Sequence, residues 1–147
     1  RGLGDVYKRQ QLTLSQKSQV AGAVIVTTPQ DIALLDAQKG IEMFAKVNIP
    51  VLGIVENMAM HHCSACGHSE AIFGSGGGAM LADTYATELL GQLPLDSAVR
   101  EAGDSGQPIV IAAPQSPSAV SYAAIARAVI VALDNCEIAP SPDIVFD

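Results

Sequence analysis

The 147-residue chain has no tryptophan and only three tyrosines and three phenylalanines, and charged residues make up just 16% of it. A core so poor in aromatics has to be assembled from Val, Ile, Leu and Ala. The 49% hydrophobic content supplies enough of them for one packed domain rather than a disordered chain. Positive charge is scarce, with eight Lys and Arg against fifteen Asp and Glu, a net charge of −7. That excludes general nucleic-acid binding, which rests on basic side chains neutralising phosphates, and it is poor material for docking on an anionic membrane. No run approaches the roughly 20 apolar residues of a spanning helix. The N-terminus shows no apolar signal-peptide segment, so a cytoplasmic location is expected. A G-x-x-x-x-G-K-[ST] phosphate loop is also missing: Lys17-Ser18 lacks the glycines, and no aspartate follows a buried-strand pattern to hold Mg²⁺. No residue is nominated as catalytic.

What is present alternates between two periodicities. Gly22–Thr27 (GAVIVT) reads as a short strand buried on both faces, Val51–Val55 (VLGIV) as a second buried strand and Leu89–Leu93 (LLGQL) as a third strand. Between the first two, Thr28-Pro29-Gln30-Asp31 reads as a capped helix start. The helix runs to about Val47, with Ile32, Leu35, Ile41 and Phe44 as its apolar face. Strand, helix, strand in that span predicts a right-handed parallel crossover. Helices are also expected over Leu12–Val20, Gly76–Ala86, Asp96–Ala102 and from Ser116-Pro117 to Leu133, and a strand or extended segment over Pro108–Ala112. The fold class is therefore α/β, doubly wound, with a mainly parallel sheet and helices on both faces. Residues 1–10 hold three of the eight basic residues and fit neither periodicity, so they are set apart as a non-native or disordered leader. Residues 11–134 form the domain and 135–147 a flexible tail. Ligands of such sheets gather at the carboxyl ends of strands, which places Thr27-Thr28, Glu56-Asn57 and Pro94-Leu95 on one rim.

The chemistry concentrates in Cys63-Ser64-Ala65-Cys66-Gly67. Two thiolates three positions apart can turn toward one ion or cluster edge, and the glycine relieves the turn. Three cysteines in all, two of them paired so closely, do not make a secreted disulfide framework. One pair supplies half of the four ligands such centres use. A second copy of the chain, or His61, His62 or His68, would complete the set; a dithiol cycling to a disulfide and a structural zinc turn are the other readings. The Gly-rich Phe73–Gly78 run is read as a hinge leading into a helix, and Asn57 at a strand end has the donor and acceptor to read an adenine edge. Cys136 is read as a small buried or loop residue rather than a ligand.

Taken together, Val51–Met58 (VLGIVENM), Cys63-x-x-Cys66-Gly67, Ile72-Phe73-Gly74, Gly76–Gly78, Leu93–Asp96 (LPLD) and Gly22–Asp31 resemble the Mrp/ApbC iron–sulfur carrier family. Its members are relatives of MinD among the deviant P-loop ATPases. The resemblance spans residues 11–133 and corresponds to the C-terminal portion of that fold. It implies a homodimer whose Cys63 and Cys66, from both subunits, hold a labile [4Fe–4S] cluster for delivery to apo iron–sulfur proteins, alongside assembly factors. It also implies ATP and Mg²⁺ in the full-length parent, with Asn57 and the Pro94-Leu95 backbone at the adenine. The phosphate loop and the switch segment before Gln11 are not matched, so this chain alone is expected neither to bind ATP tightly nor to hydrolyse it. Two other readings remain open: a structural zinc or dimerisation module, and a fragment of a MinD-like partitioning ATPase.

Overall fold

A computed structural model of the chain describes residues 20–63 and 65–136. Three parallel strands, β1 (Ala23–Thr27), β2 (Val51–Glu56) and β5 (Leu89–Gln92), pair in the order β1-β2-β5. An antiparallel pair of two-residue strands, β3 (His61–His62) and β4 (Ser69–Glu70), forms a separate hairpin between β2 and β5. Five helices complete the described residues: α1 (Asp31–Lys46), α2 (Gly77–Thr84), α3 (Ser97–Asp104), α4 (Ile109–Ala112) and α5 (Pro117–Asp134). Strands form at all three expected sheet positions, with the parallel crossover and helices on both faces, but the expected burial of β1 on both faces does not hold, because Val26 is exposed. The expected Leu12–Val20 helix lies almost wholly outside the described residues.

The two faces of the sheet bury different material. On one, Ile25 and Ile54 meet Leu34, Ala37 and Ile41 of α1 and Leu81 and Ala82 of α2. On the other, Val55, Leu90 and Leu93 are covered by Ile125, Ala128, Val129 and Ala132 of α5. Helix α5 has 18 residues and a mean hydropathy of 1.3, enough in length and composition to cross a membrane. Here its sheet-facing stripe is part of the core.

Three further expectations are corrected. The expected apolar face of α1 holds at Ile41, which is buried, and Phe44, which packs against the core, but Ile32 and Leu35 are exposed and Leu34 and Ala37 are buried in their place. Ile32 and Leu35 lie roughly 150° round the helix from Leu34, Ala37 and Ile41, and contact with Ile25 and Ile54 decides which side is buried. Thr28 does not cap α1: Gln30 is its N-cap without a side-chain bond, and the Thr28 hydroxyl donates to the Gln30 side chain instead. Pro108–Ala112 is a helical turn, not a strand. The Pro108 carbonyl accepts from the N–H groups of Ile111 and Ala112, and the segment packs between α3 and α5, away from any sheet edge its β-branched residues would favour. By contrast, α5 starts as its sequence says, with the Ser116 hydroxyl accepting from Ala119 N–H and Pro117 in the first turn.

Candidate functional site

The carboxyl ends of the three sheet strands are in register, Thr27 beside Glu56 and Glu56 beside Gln92, which assembles the expected rim. From the end of β2 the chain leaves the sheet, forms the β3–β4 hairpin and returns through the glycine run to α2. The departing segment is pinned to the residues after β5: Ala59 N–H donates to Leu93 O and Leu95 N–H to Met60 O. Cys63 and Cys66 lie in the loop of the hairpin, Cys63 half-buried and Cys66 exposed. The turn is closed by Cys63 N–H to His68 O at 2.8 Å and Gly67 N–H to Cys63 O at 2.9 Å. Gly67 takes φ +73°, a left-handed conformation that a side chain would strain.

The backbone N–H groups of Cys66 and Ala65, with the Cys66 thiol, hold the Cys63 thiol below its ordinary range, against some burial and the charge of Glu70. Donors aimed at sulfur favour the thiolate, the form that binds metal and iron–sulfur clusters. Two of the three nearby histidines have partners at Nδ1. His61 Nδ1 lies 3.3 Å from Leu95 O, and His62 Nδ1 lies 2.6 Å from Ser69 Oγ. Among the described residues no group of three or more His, Cys, Asp and Glu converges to hold a metal. Among the described residues the pair presents two ligands at an open tip. Cys136 is half-buried and its sulfur lies 3.9 Å from Ala21 O, remote in sequence and contact from the hairpin.

Pro94 and Leu95 line a groove of about 870 Å³ between the hairpin, the segment after β5 and the starts of α3 and α5. His61, Gln92, Asp96 and Ser118 line it too. Asp96 caps α3 through Ala98 N–H at 2.9 Å and accepts from the Ser118 hydroxyl at 2.6 Å. The Ser118 bond, the Ala98 bond and the nearby His62 hold its carboxyl below the usual carboxylate range despite desolvation. Asn57 does not line this groove. Its backbone N–H donates to Thr27 O, and its side-chain oxygen accepts from Met58 N–H, leaving the side-chain NH₂ as its donor.

One residue that sequence reasoning passed over is Glu56. It is fully buried, and both carboxyl oxygens accept hydrogen bonds, from Gly78 N–H and from Gln92 Nε2, each at 2.6 Å. Its only signal in the sequence is a carboxylate closing an otherwise apolar strand.

A doubly wound parallel sheet with its ligand rim at the strand ends is the P-loop NTPase architecture, and solved structures of that class match it. The chain aligns with a nucleotide-binding protein in complex with ADP from Archaeoglobus fulgidus, at 35% identity and TM-score 0.61, covering 76% of this chain and 44% of that one. It also aligns with the cell division ATPase MinD of Pyrococcus furiosus at TM-score 0.63, covering 82% of this chain and 46% of that one; at 24% identity this likeness speaks to fold alone. The chain belongs to the ParA family of NUBPL-type iron-transfer P-loop NTPases, whose family model matches residues 2–130. It is 61% identical over 125 residues to an iron–sulfur cluster carrier protein of Pseudomonas fragi, and 51% identical over 129 residues to the iron–sulfur cluster transfer protein NUBPL of mouse. It covers 85% and 88% of its own length in these matches but only 42% and 39% of theirs.

Proposed function

We propose that this chain is the cluster-holding part of an ATP-dependent iron–sulfur carrier. The observation that carries the proposal is the exposed Cys63/Cys66 turn, whose sulfur is surrounded by backbone donors and which has no third ligand among the described residues. Two such turns facing each other across a two-fold axis supply four thiolates, the complement of a [4Fe–4S] cluster. The cluster is cargo. Held at an open tip by two ligands from each chain, it is accessible to the thiolates of an apo-protein, which replace Cys63 and Cys66 one at a time.

The groove beside the hairpin is where a nucleotide base fits, with the Pro94 and Leu95 backbone along it and the Asn57 side-chain NH₂ as a donor at the neighbouring rim. Only the base end is furnished. The sequence contains no phosphate loop, so no hydrolytic step is derived for this chain, and tight ATP binding by it alone is not expected. In a full-length carrier, nucleotide state would act on the dimer geometry that brings the two cysteine turns together. The acidic, Lys/Arg-poor composition fits a cytoplasmic protein whose partners are a second copy, assembly factors and apo iron–sulfur proteins.

Anaerobic reconstitution with iron and sulfide tests the proposal. The expected result is a visible iron–sulfur absorption band, one cluster per pair of chains, abolished in Cys63→Ser. Colourless protein that takes up stoichiometric zinc would instead assign the turn to a structural zinc or dimerisation module.

A further inference from the structure

Glu56 is an anomaly on physical grounds. A carboxylate with no exposed surface is retained at a cost unless its oxygens are fully engaged, and here they are engaged by groups from two different parts of the chain. Gly78 belongs to the first turn of α2. The N-cap of that helix, Gly76, has no side chain and φ +77°, so the helix has no cap of its own. Oε2 of Glu56 supplies one from across the fold, 22 residues back along the chain. A glycine at 78 is what allows the approach: a Cβ there would lie 2.9 Å from Glu56 Cβ and 3.1 Å from Oε2.

Residues 56 and 78 are also the two points where the cysteine-bearing excursion leaves and rejoins the body of the domain. The bond between them therefore closes the base of that excursion, beside the ties of Ala59 to Leu93 and of Leu95 to Met60. Oε1 meanwhile holds Gln92, whose exposed side chain forms part of the groove wall. The backbone of Glu56 adds a further tie, its carbonyl accepting from Leu93 N–H at 2.9 Å.

We propose that Glu56 is the positioning residue of the cysteine hairpin, its buried carboxylate clasping both feet of the excursion and joining them to the groove wall through Gln92. The functional consequence rests on the carrier reading above: the clasp fixes the pose of Cys63 and Cys66, and a ligand displacing Gln92 from the groove side loosens it.

The test uses the full chain with Glu56→Asp, Glu56→Gln, Gly78→Ala and Gln92→Ala. Aspartate keeps the charge but is one methylene too short to reach both donors. Glutamine keeps the reach, its carbonyl taking Gly78 N–H while Gln92 turns its own oxygen to the new amide. In the cluster-free protein, hydrogen exchange at Ala59, Gly78 and Leu95 is expected to quicken about tenfold or more in Glu56→Asp and Gly78→Ala, with Ile54 unchanged and Glu56→Gln close to wild type. In reconstituted protein, cluster loss to a chelator is expected to quicken by a similar factor in the same two variants at unaltered cluster content. Gln92→Ala, which leaves Oε1 without its donor but Gly78 N–H still bound, is expected to give a smaller change of the same sign. Wild-type rates in Glu56→Asp and Gly78→Ala would overturn the clasp, as would acceleration shared equally by Ile54, or Glu56→Gln behaving like Glu56→Asp. If wild-type protein takes up no cluster, the carrier reading fails, and the exchange measurements still decide the clasp.

Discussion

Strand β2 and the hairpin that grows from its end are neighbours in sequence and are stabilised in opposite ways. β2 is flanked by a strand on each side and covered by helices on both faces, so that Ile54 is wholly removed from water. The hairpin has two residue pairs and exposed flanks. It holds its shape through backbone bonds within the cysteine turn and through ties at its base to Glu56, Leu93 and Leu95. The proposed carrier role fits this division. The sheet supplies rigidity from apolar area, while the cysteine turn stays at the surface, where on that proposal a partner's thiolates would reach a cluster without a buried contact breaking.

The cysteines give the largest separation between the two regions. Cys63→Ser and Cys66→Ser are each expected to abolish the iron–sulfur absorption band while leaving the melting temperature of the cluster-free protein within about 1 °C, because neither side chain contributes to the core. A matching fall in melting temperature, read by circular dichroism, would mean that the hairpin and sheet are one cooperative unit and not two.

Ile54→Ala probes the other side. Removing three buried carbons from a position with no solvent contact costs about 3–4 kcal/mol. That corresponds to a drop of about 10 °C in a chain of this size. Cluster uptake below the melting transition is expected to survive. Loss of uptake at temperatures where circular dichroism still reports a folded sheet would show that the core sets the pose of the cysteines directly.

The same contrast explains what was legible in the sequence. Ala23–Thr27, Val51–Glu56 and Leu89–Gln92 announce themselves as short, mostly apolar runs, although only β2 is well covered on both sides and Val26 and Gln92 are exposed, and Ser116-Pro117 announces α5 because its capping chemistry is local. The cysteine pair was equally plain, since ligand spacing is a property of neighbouring residues. What escaped was decided by distant partners. Ile32 and Leu35 are as apolar as Leu34 and Ile41, yet only the latter meet the sheet. Val110 and Ile111 favour a strand, but their segment packs as a helical turn between α3 and α5. Thr28, apt as a cap, found a nearer acceptor in Gln30. Glu56 looked like one more strand terminus because Gly78 and Gln92, its partners, stand 22 and 36 residues away.

Asp96→Ala tests the groove side of the boundary. It removes the α3 cap and the bond to Ser118 that ties α3 to α5, an expected cost of about 1–2 kcal/mol. The Asp96 carboxyl is held below its unfolded value, so its contribution is present above the ordinary carboxylate range and is lost as pH falls through the lowered folded-state value. Denaturant unfolding at neutral and acid pH should therefore show wild type and Asp96→Ala converging toward the acid end. A gap that stays constant with pH would place the cost in packing and not in the carboxylate.

The smallest effect is also the one most specific to the hairpin. Cys63 is held below its ordinary thiol range chiefly by the Cys66 and Ala65 N–H groups, an arrangement that depends on the turn and not on the sheet. Its thiolate is favoured in the folded state, so the associated stabilisation is present above the unfolded thiol value of 9.0 and fades as pH drops through the folded one. At so exposed a position solvent screening leaves that contribution slight, and reactivity is the better readout. Alkylation of Cys63, located by peptide mass spectrometry across a pH series, is expected to reach half-maximal rate below pH 9.0. Gly67→Ala, whose new Cβ meets no atom within 4 Å but whose φ of +73° it would strain, should move that midpoint upward without changing the melting temperature by more than about 2 °C. A midpoint indifferent to Gly67→Ala would detach the activation of Cys63 from the geometry of the turn and return it to its charged surroundings, with Glu70→Gln, which removes an opposing charge, as the variant that should then shift it.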